Sequence, residues 1–159
     1  MNDRFFPHVT VASVIEHNGV YLLVEEPDRQ AAHASSVYNQ PAGHLEADEG
    51  LEAAARREAL EESGWQITLT GYLGLYINTT PEGITYHSHT FLARPEQRRN
   101  TRLDDDIIAA HWLDYATIER LEQQQRLRSP LVLRRLQDAR AGLWHPLTVI
   151  RDFSRTTTG

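Results

Sequence analysis

The chain of 159 residues contains no cysteine. Disulfides, thiolate nucleophiles, zinc–thiolate sites and iron–sulfur clusters are therefore excluded. Lysine is also missing, since all 16 basic residues are arginine. A Schiff-base lysine and the lysine of a Walker P-loop are excluded with it. No apolar run approaches the roughly 20 residues of a membrane span. Met1-Asn2-Asp3-Arg4 does not lead from a basic segment into an apolar one, so no secretory signal is read there. The expected compartment is the cytoplasm, with which the missing cysteine agrees. Positive charge is in short supply: 22 acids leave a net charge of −6, which argues against a general nucleic-acid binder.

What is present is ordinary for a soluble globular protein, with 40% hydrophobic and 24% charged residues. The length suits one domain over 1–159 with its own core. His8 to Ile15 and Val20 to Glu25 read as strands around the turn signal His17-Asn18-Gly19. A polar loop is expected over Pro27 to Ser36, and a helix between Gly50 and Gly64. Gln66 to Asn78 and Ile84 to Arg94 read as strands joined at Pro81-Glu82-Gly83. Arg98 to Asp106 reads as a charged loop and Ile107 to Leu113 as a short strand. Tyr115 to Gln125 reads as a helix. Ser129-Pro130 opens a last helix that stops at Gly142. Residues 155–159 are expected to be a disordered tail. This order predicts an α+β fold, a mixed sheet covered by helices.

The chemistry is concentrated in Gly43 to Trp65, GHLEADEGLEAAARREALEESGW. Seven acids between Glu46 and Glu62 face only Arg56 and Arg57, a local charge of −5. Glu58, Glu61 and Glu62 are spaced i, i+3, i+4 and share one arc of a helix. Leu60, Ala53 and Gly64 are expected on the opposite, sheet-facing side. Like charges at this spacing repel, and they lie at the unfavourable end of the helix dipole. A hard divalent cation offsets both, because Mg²⁺ takes carboxylate and phosphate oxygens. A solvated acidic face with local arginine pairs is the plainer alternative.

The full pattern resembles the signature of the Nudix hydrolases. Gly43, Glu49, Arg57-Glu58, Ala59, Glu61-Glu62, Gly64 and Trp65 fill its positions at its spacing. Phe6-Pro7-His8-Val9-Thr10-Val11-Ala12, Asn39-Gln40-Pro41-Ala42-Gly43-His44-Leu45-Glu46, Leu127-Arg128-Ser129-Pro130-Leu131-Val132 and Asp152-Phe153 are similar to the NudJ-type phosphatases within that family. The resemblance implies an α/β/α sandwich and dependence on Mg²⁺, or Mn²⁺ in its place. It implies that Glu58, Glu61 and Glu62 bind the metal, with the Gly43 carbonyl as a further ligand. Arg57 would hold the glutamates, and Glu49 would be a structural acid. The implied reaction is phosphoanhydride hydrolysis in nucleoside tri- and diphosphates, releasing orthophosphate. Thiamine diphosphate and its hydroxymethylpyrimidine diphosphate precursor are further implied substrates. A monomer acting on small phosphorylated molecules, with neither nucleic acid nor membrane as partner, is expected. Without lysine, substrate phosphates must be met by arginine, metal or backbone amides.

Other residues carry weaker signals. Arg128 precedes a helix start, where anions are attracted, and eight arginines lie between Arg120 and Arg155 against three acids. Arg128 is a candidate phosphate contact or an ordinary solvated arginine. Tyr38, Asn39 and Gln40 are candidates for a substrate ring, or for packing and turns. Within Asp104-Asp105-Asp106, Asp106 is taken as the best-placed further acid. His111 reads as structural. His87 and His89 share a strand face without an evident third metal ligand. His44 receives no role. ADP-ribose or dinucleotide pyrophosphatase activity is the alternative within the family. A non-catalytic ligand-binding module is the alternative outside catalysis, and the intact set of box glutamates argues against it.

Overall fold

A computed structural model describes residues 3–154. The tail expected at 155–159 lies outside the described residues. Seven strands and three helices follow in the order β1 (His8–His17), β2 (Val20–Pro27), β3 (Ser36–Asn39), β4 (Ala42–His44), α1 (Leu51–Ser63), β5 (Trp65–Thr79), β6 (Thr85–Arg98), β7 (Ala109–Asp114), α2 (Tyr115–Gln123) and α3 (Pro130–Arg140). A 3₁₀ turn at Leu147–Val149 comes last.

The sheet runs β3-β2-β1-β6-β5, with β4 on β1 and β7 on β2. Among the described strands β1 and β6 pair in parallel and the other pairs are antiparallel, so the sheet is mixed, as expected. Strand alternation divides β1 between two cores. Val11 and Ile15 pack with Leu22, Phe91 and the α1 residues Ala54, Ala55 and Ala59. Val14 packs with Tyr21, Leu23, Ile118, Val132 and Leu136, under α2 and α3. Helices therefore cover both faces of the sheet.

Beyond the Glu16↔Tyr21 and His17↔Val20 pairs, β1 and β2 no longer pair with each other. β1 then takes β4 as its neighbour, while β2 takes β3 and β7. The connector Gln40-Pro41 crosses between the two branches. No strand is read from the sequence on either side of it, because β3 and β4 have four and three residues, too few to show a period.

α1 begins after Gly50 without a side-chain cap and ends at Gly64 in the left-handed region, φ 76°. The Gly64 amide donates to the Leu60 carbonyl at 2.9 Å, closing the last turn. The helix is rotated from the expected orientation. Ala54, Ala55, Glu58, Ala59 and Ser63 are buried, whereas Ala53 is exposed and Leu60 half-buried. One glutamate of the acidic segment, Glu58, thus points inward with the alanines. Small side chains let the helix approach the sheet closely enough to bury it.

α3 has the expected Ser129 cap, whose hydroxyl accepts from the Leu131 amide at 3.3 Å. β7 starts at Ala109 rather than Ile107, and β6 runs on to Arg98 rather than Arg94.

Candidate active site

Arg57 is the hub of the acidic segment. Its Nε and Nη2 donate to the two Glu49 oxygens at 2.7 and 2.9 Å, a bidentate fork. Nη1 donates to Glu58 at 2.8 Å and to Glu61 at 3.1 Å. Nη2 also donates to the His44 carbonyl at 3.0 Å, fastening the loop after β4 to α1. These bonds hold the Glu49 carboxyl below the usual carboxylate range, with the Arg57 hydrogen bond the largest cause.

One guanidinium cannot neutralise this many acids. Burial pushes the Glu58 carboxyl above its ordinary value, against the pull of Arg57. Glu62 is pushed up to about 8, chiefly by burial, with Glu58, Glu26 and Asp104 adding repulsion. Its Oε1 accepts the Ala42 amide at 2.7 Å, the one contact that draws it down. Gly43, next in β4, has no room for a side chain, because a Cβ there would fall inside the Glu58 carboxylate.

Glu58, Glu61 and Asp104 place one carboxylate oxygen each within 4.8 Å of one another, the group of potential metal ligands found among the described residues. The third member comes from the loop between β6 and β7, which is bonded to the end of α1. The Glu61 carbonyl has no partner within the helix, and it accepts the Asp104 amide at 2.9 Å. That bond carries Asp104 into the group. Asp106 instead lies on the exposed side of the following turn, paired with Arg29. The aspartate that lies with Glu58 and Glu61 is thus Asp104, while Asp106, the residue named from the sequence, lies apart from them. No feature of the Asp104-Asp105-Asp106 run distinguishes its members before the loop is folded. Glu62 stays at Ala42, beside this trio rather than within it. Three or four closely set oxygen donors, short of positive charge and free of sulfur and imidazole, fit a hard divalent cation.

The candidates outside the box separate clearly. Gln40 is 1% exposed, so it is not available to a substrate. Its Nε2 donates to the Val132 carbonyl of α3 at 2.8 Å, and its Oε1 accepts from Arg135 at 3.3 Å. Tyr38 packs its ring against Arg126, 5.2 Å from the centroid, and His111, 5.7 Å between centroids. Asn39 is half-buried in β3, opposite Val24. Arg128 is about half exposed and donates to Glu26 at 2.7 Å. Glu26 in turn adds repulsion on Glu62, so the pair lies within electrostatic reach of the acidic segment. His111 bonds Glu25 at 2.8 Å, and His89 bonds the Tyr72 hydroxyl at 2.9 Å. His44 lies 3.3 Å from His8.

The acidic segment is thus a loop–helix unit that buries one glutamate, bonds another to a β4 amide and binds the rest through a single arginine. The NUDIX domain model matches residues 5–136, and the chain belongs to the Nudix family as a Nudix hydrolase. Phosphatase NudJ of Escherichia coli strain K12 is 36% identical over 151 residues, covering 94% of both chains. Phosphatase NudJ of Shigella flexneri matches to the same extent. The chain is thus a homologue of these phosphatases. A solved NUDIX hydrolase from Nitrosomonas europaea superposes with a TM-score of 0.86 at 37% identity, over 93% of this chain and 98% of that one.

Proposed function

We propose that this chain hydrolyses phosphoric anhydrides in small phosphorylated substrates with Mg²⁺, or Mn²⁺, as its cofactor. The observation that carries the reading is the group of Glu58, Glu61 and Asp104 oxygens beside a raised Glu62. Glu58, Glu61, Glu62 and Asp104, with the Gly43 carbonyl, would hold the cation. When bound, it neutralises substrate phosphate charge and lowers the pKa of an attacking water.

The chain's own residues do the rest. Arg57 keeps Glu58, Glu61 and Glu49 in register through its fork, so that little reorganisation is needed when the substrate arrives. A box carboxylate takes the proton of the attacking water. Arg128, half exposed and held by Glu26, is the arginine we assign to the phosphate chain.

The substrates we propose are nucleoside tri- and diphosphates, with thiamine diphosphate and hydroxymethylpyrimidine diphosphate beside them. The product is orthophosphate. The name of the E. coli relative, a phosphatase 36% identical over nearly the whole chain, supports release of phosphate. We further propose that 1–159 is one domain acting as a cytoplasmic monomer. Among the described residues, no helix is long and apolar enough to cross a membrane.

The test is a substrate panel with and without Mg²⁺, scoring phosphate and pyrophosphate separately. Metal-dependent phosphate release from tri- and diphosphates is expected. ADP-ribose or dinucleotide cleavage without phosphate release would replace this reading with the family's pyrophosphatase activity. Binding without turnover would replace it with a ligand-binding module.

A further inference from the structure

Arg135 on α3 is 5% exposed, yet no carboxylate bonds to it among the described residues. Its Nε donates to Thr90 at 3.0 Å and its Nη2 to Ser88 at 2.8 Å, both on β6. Its Nη1 donates to Gln40 at 3.3 Å. Asp138, the acid three residues on, is engaged by Arg134 at 3.0 Å and by the Tyr76 hydroxyl at 2.7 Å. The guanidinium stacks at 5.6 Å over the Tyr76 ring. Burial lowers its pKa to about 10.

A buried charge without a counter-charge is costly, and here three buried neutral oxygens offset it. Of the three, the Gln40 amide is the acceptor that leads to the acidic segment. That amide is held from both ends, by Arg135 at the oxygen and by the Val132 carbonyl at the nitrogen. Gln40 opens the crossing between the two branches of the sheet. Its successor Pro41 is held by the Ser13 amide at 3.1 Å. The next two residues are Ala42, whose amide bonds Glu62, and Gly43, against which Glu58 packs.

We infer that Arg135 and Gln40 are positioning residues for the metal-binding carboxylates, acting from the opposite face of the sheet. Arg135 fixes Gln40, Gln40 fixes the crossing at Pro41, and the crossing sets where the Ala42 amide and the Gly43 backbone meet Glu62 and Glu58. Neither residue touches substrate. The inference rests on the metal-site reading above and adds a part of the molecule that lies outside the box.

The experiment is Mn²⁺ binding to the full chain, followed by electron paramagnetic resonance of the free ion, together with the melting temperature of the metal-free protein. Arg135→Met leaves the buried Gln40, Ser88 and Thr90 oxygens without their donor and should melt lower, yet stay folded and bind Mn²⁺ about tenfold more weakly, the usual effect of a supporting residue around a metal site. Gln40→Leu should weaken binding by a similar factor, and the double variant by no more than either alone, because both act through one contact. Ser88→Ala removes a different Arg135 acceptor and should leave Mn²⁺ affinity unchanged.

Wild-type affinity in Arg135→Met overturns the inference. So do additive losses in the double variant, or an equal loss in Ser88→Ala. If Arg135→Met does not fold, the contrast between Gln40→Leu and Ser88→Ala decides, and equal affinities overturn the inference. A wild-type chain that takes up no Mn²⁺ overturns the metal-site reading as well, which separates that failure from this one.

Discussion

Arg57 and Arg135 lie on helices that cover opposite faces of one sheet, and their surroundings are opposite in charge. Arg57 is one cation among Glu46, Glu49, Glu58 and Glu61, with Glu62 and Asp104 unpaired beside it. Arg135 is a cation with no acid bonded to it, held by an amide and two hydroxyls. In the first region the imbalance is negative and open to a cation from solution. In the second it is positive, sealed, and satisfied only by neutral oxygens. On the reading proposed above, a surplus of charge serves a binding site in one place and a structural support in the other. What separates them is whether the hydrogen-bonding capacity is already used. The proposed cation ligands have oxygens to spare, whereas Arg135 has partners at all three nitrogens.

The largest expected effect comes from removing an acid on the open side. Glu62→Gln keeps the shape and the bond from Ala42 but deletes a charge. Steady-state kinetics at saturating Mg²⁺ should show kcat/KM lowered at least about a hundredfold, the scale of losing a preorganised electrostatic group. The metal-free melting temperature should hold or rise, because the buried carboxyl no longer has to stay protonated or bear an uncompensated charge. Near-wild-type turnover would remove Glu62 from the site.

Arg57→Lys keeps the charge of the hub but loses the fork. Turnover should fall about tenfold through displaced glutamates, with KM little changed. If KM alone rises, Arg57 contacts substrate.

The raised Glu62 carboxyl also predicts how the metal-free fold responds to pH. Glu62 titrates at about 8 when folded and at the ordinary 4.5 when unfolded. Between those values the folded chain holds a proton that the unfolded chain has released, so stability falls as pH rises through this window. Glu58 shifts in the same direction and adds to the slope. Glu49 and Glu25, both held low, act in the opposite sense, and their contribution is lost at acid pH. Melting temperatures of metal-free protein from pH 5 to 8 should therefore decline, less steeply in Glu62→Gln. A flat profile in the wild type would contradict the burial of Glu62.

The smallest effects separate two neighbouring acids. Asp104→Asn should weaken Mn²⁺ binding measurably, while Asp106→Asn, which only frees an exposed arginine, should stay within about twofold of wild type. The reverse order would restore Asp106 as the further acid.

The helix between Gly50 and Gly64, the Ser129 cap and the spacing of Glu58, Glu61 and Glu62 were legible because each is set by local periodicity or capping. The orientation of α1 was not. Placing the glutamates on a wet face put Ala53 and Leu60 inward, whereas small alanines bury Glu58 alongside them. Asp104 was missed because a backbone bond at a helix end selected it. Gln40 was read as a substrate contact or a packing and turn residue from its place before the box. Its partner Arg135 lies 95 residues away, and no spacing rule connects the two. Arg135 itself read as one more arginine in a basic region. Long-range partners decide such roles, and they emerge only when the sheet is assembled.

The most direct test of the metal-hydrolase reading is a phosphorus NMR time course of a nucleoside triphosphate with the wild-type chain and Mg²⁺, without added pyrophosphatase. The account predicts orthophosphate from the first time points, a transient diphosphate that is itself consumed, and no reaction once the metal is chelated. Pyrophosphate accumulating without a diphosphate intermediate would refute orthophosphate release while leaving metal-dependent hydrolysis standing. An unchanged triphosphate spectrum with Mg²⁺ and with Mn²⁺ would contradict the central claim.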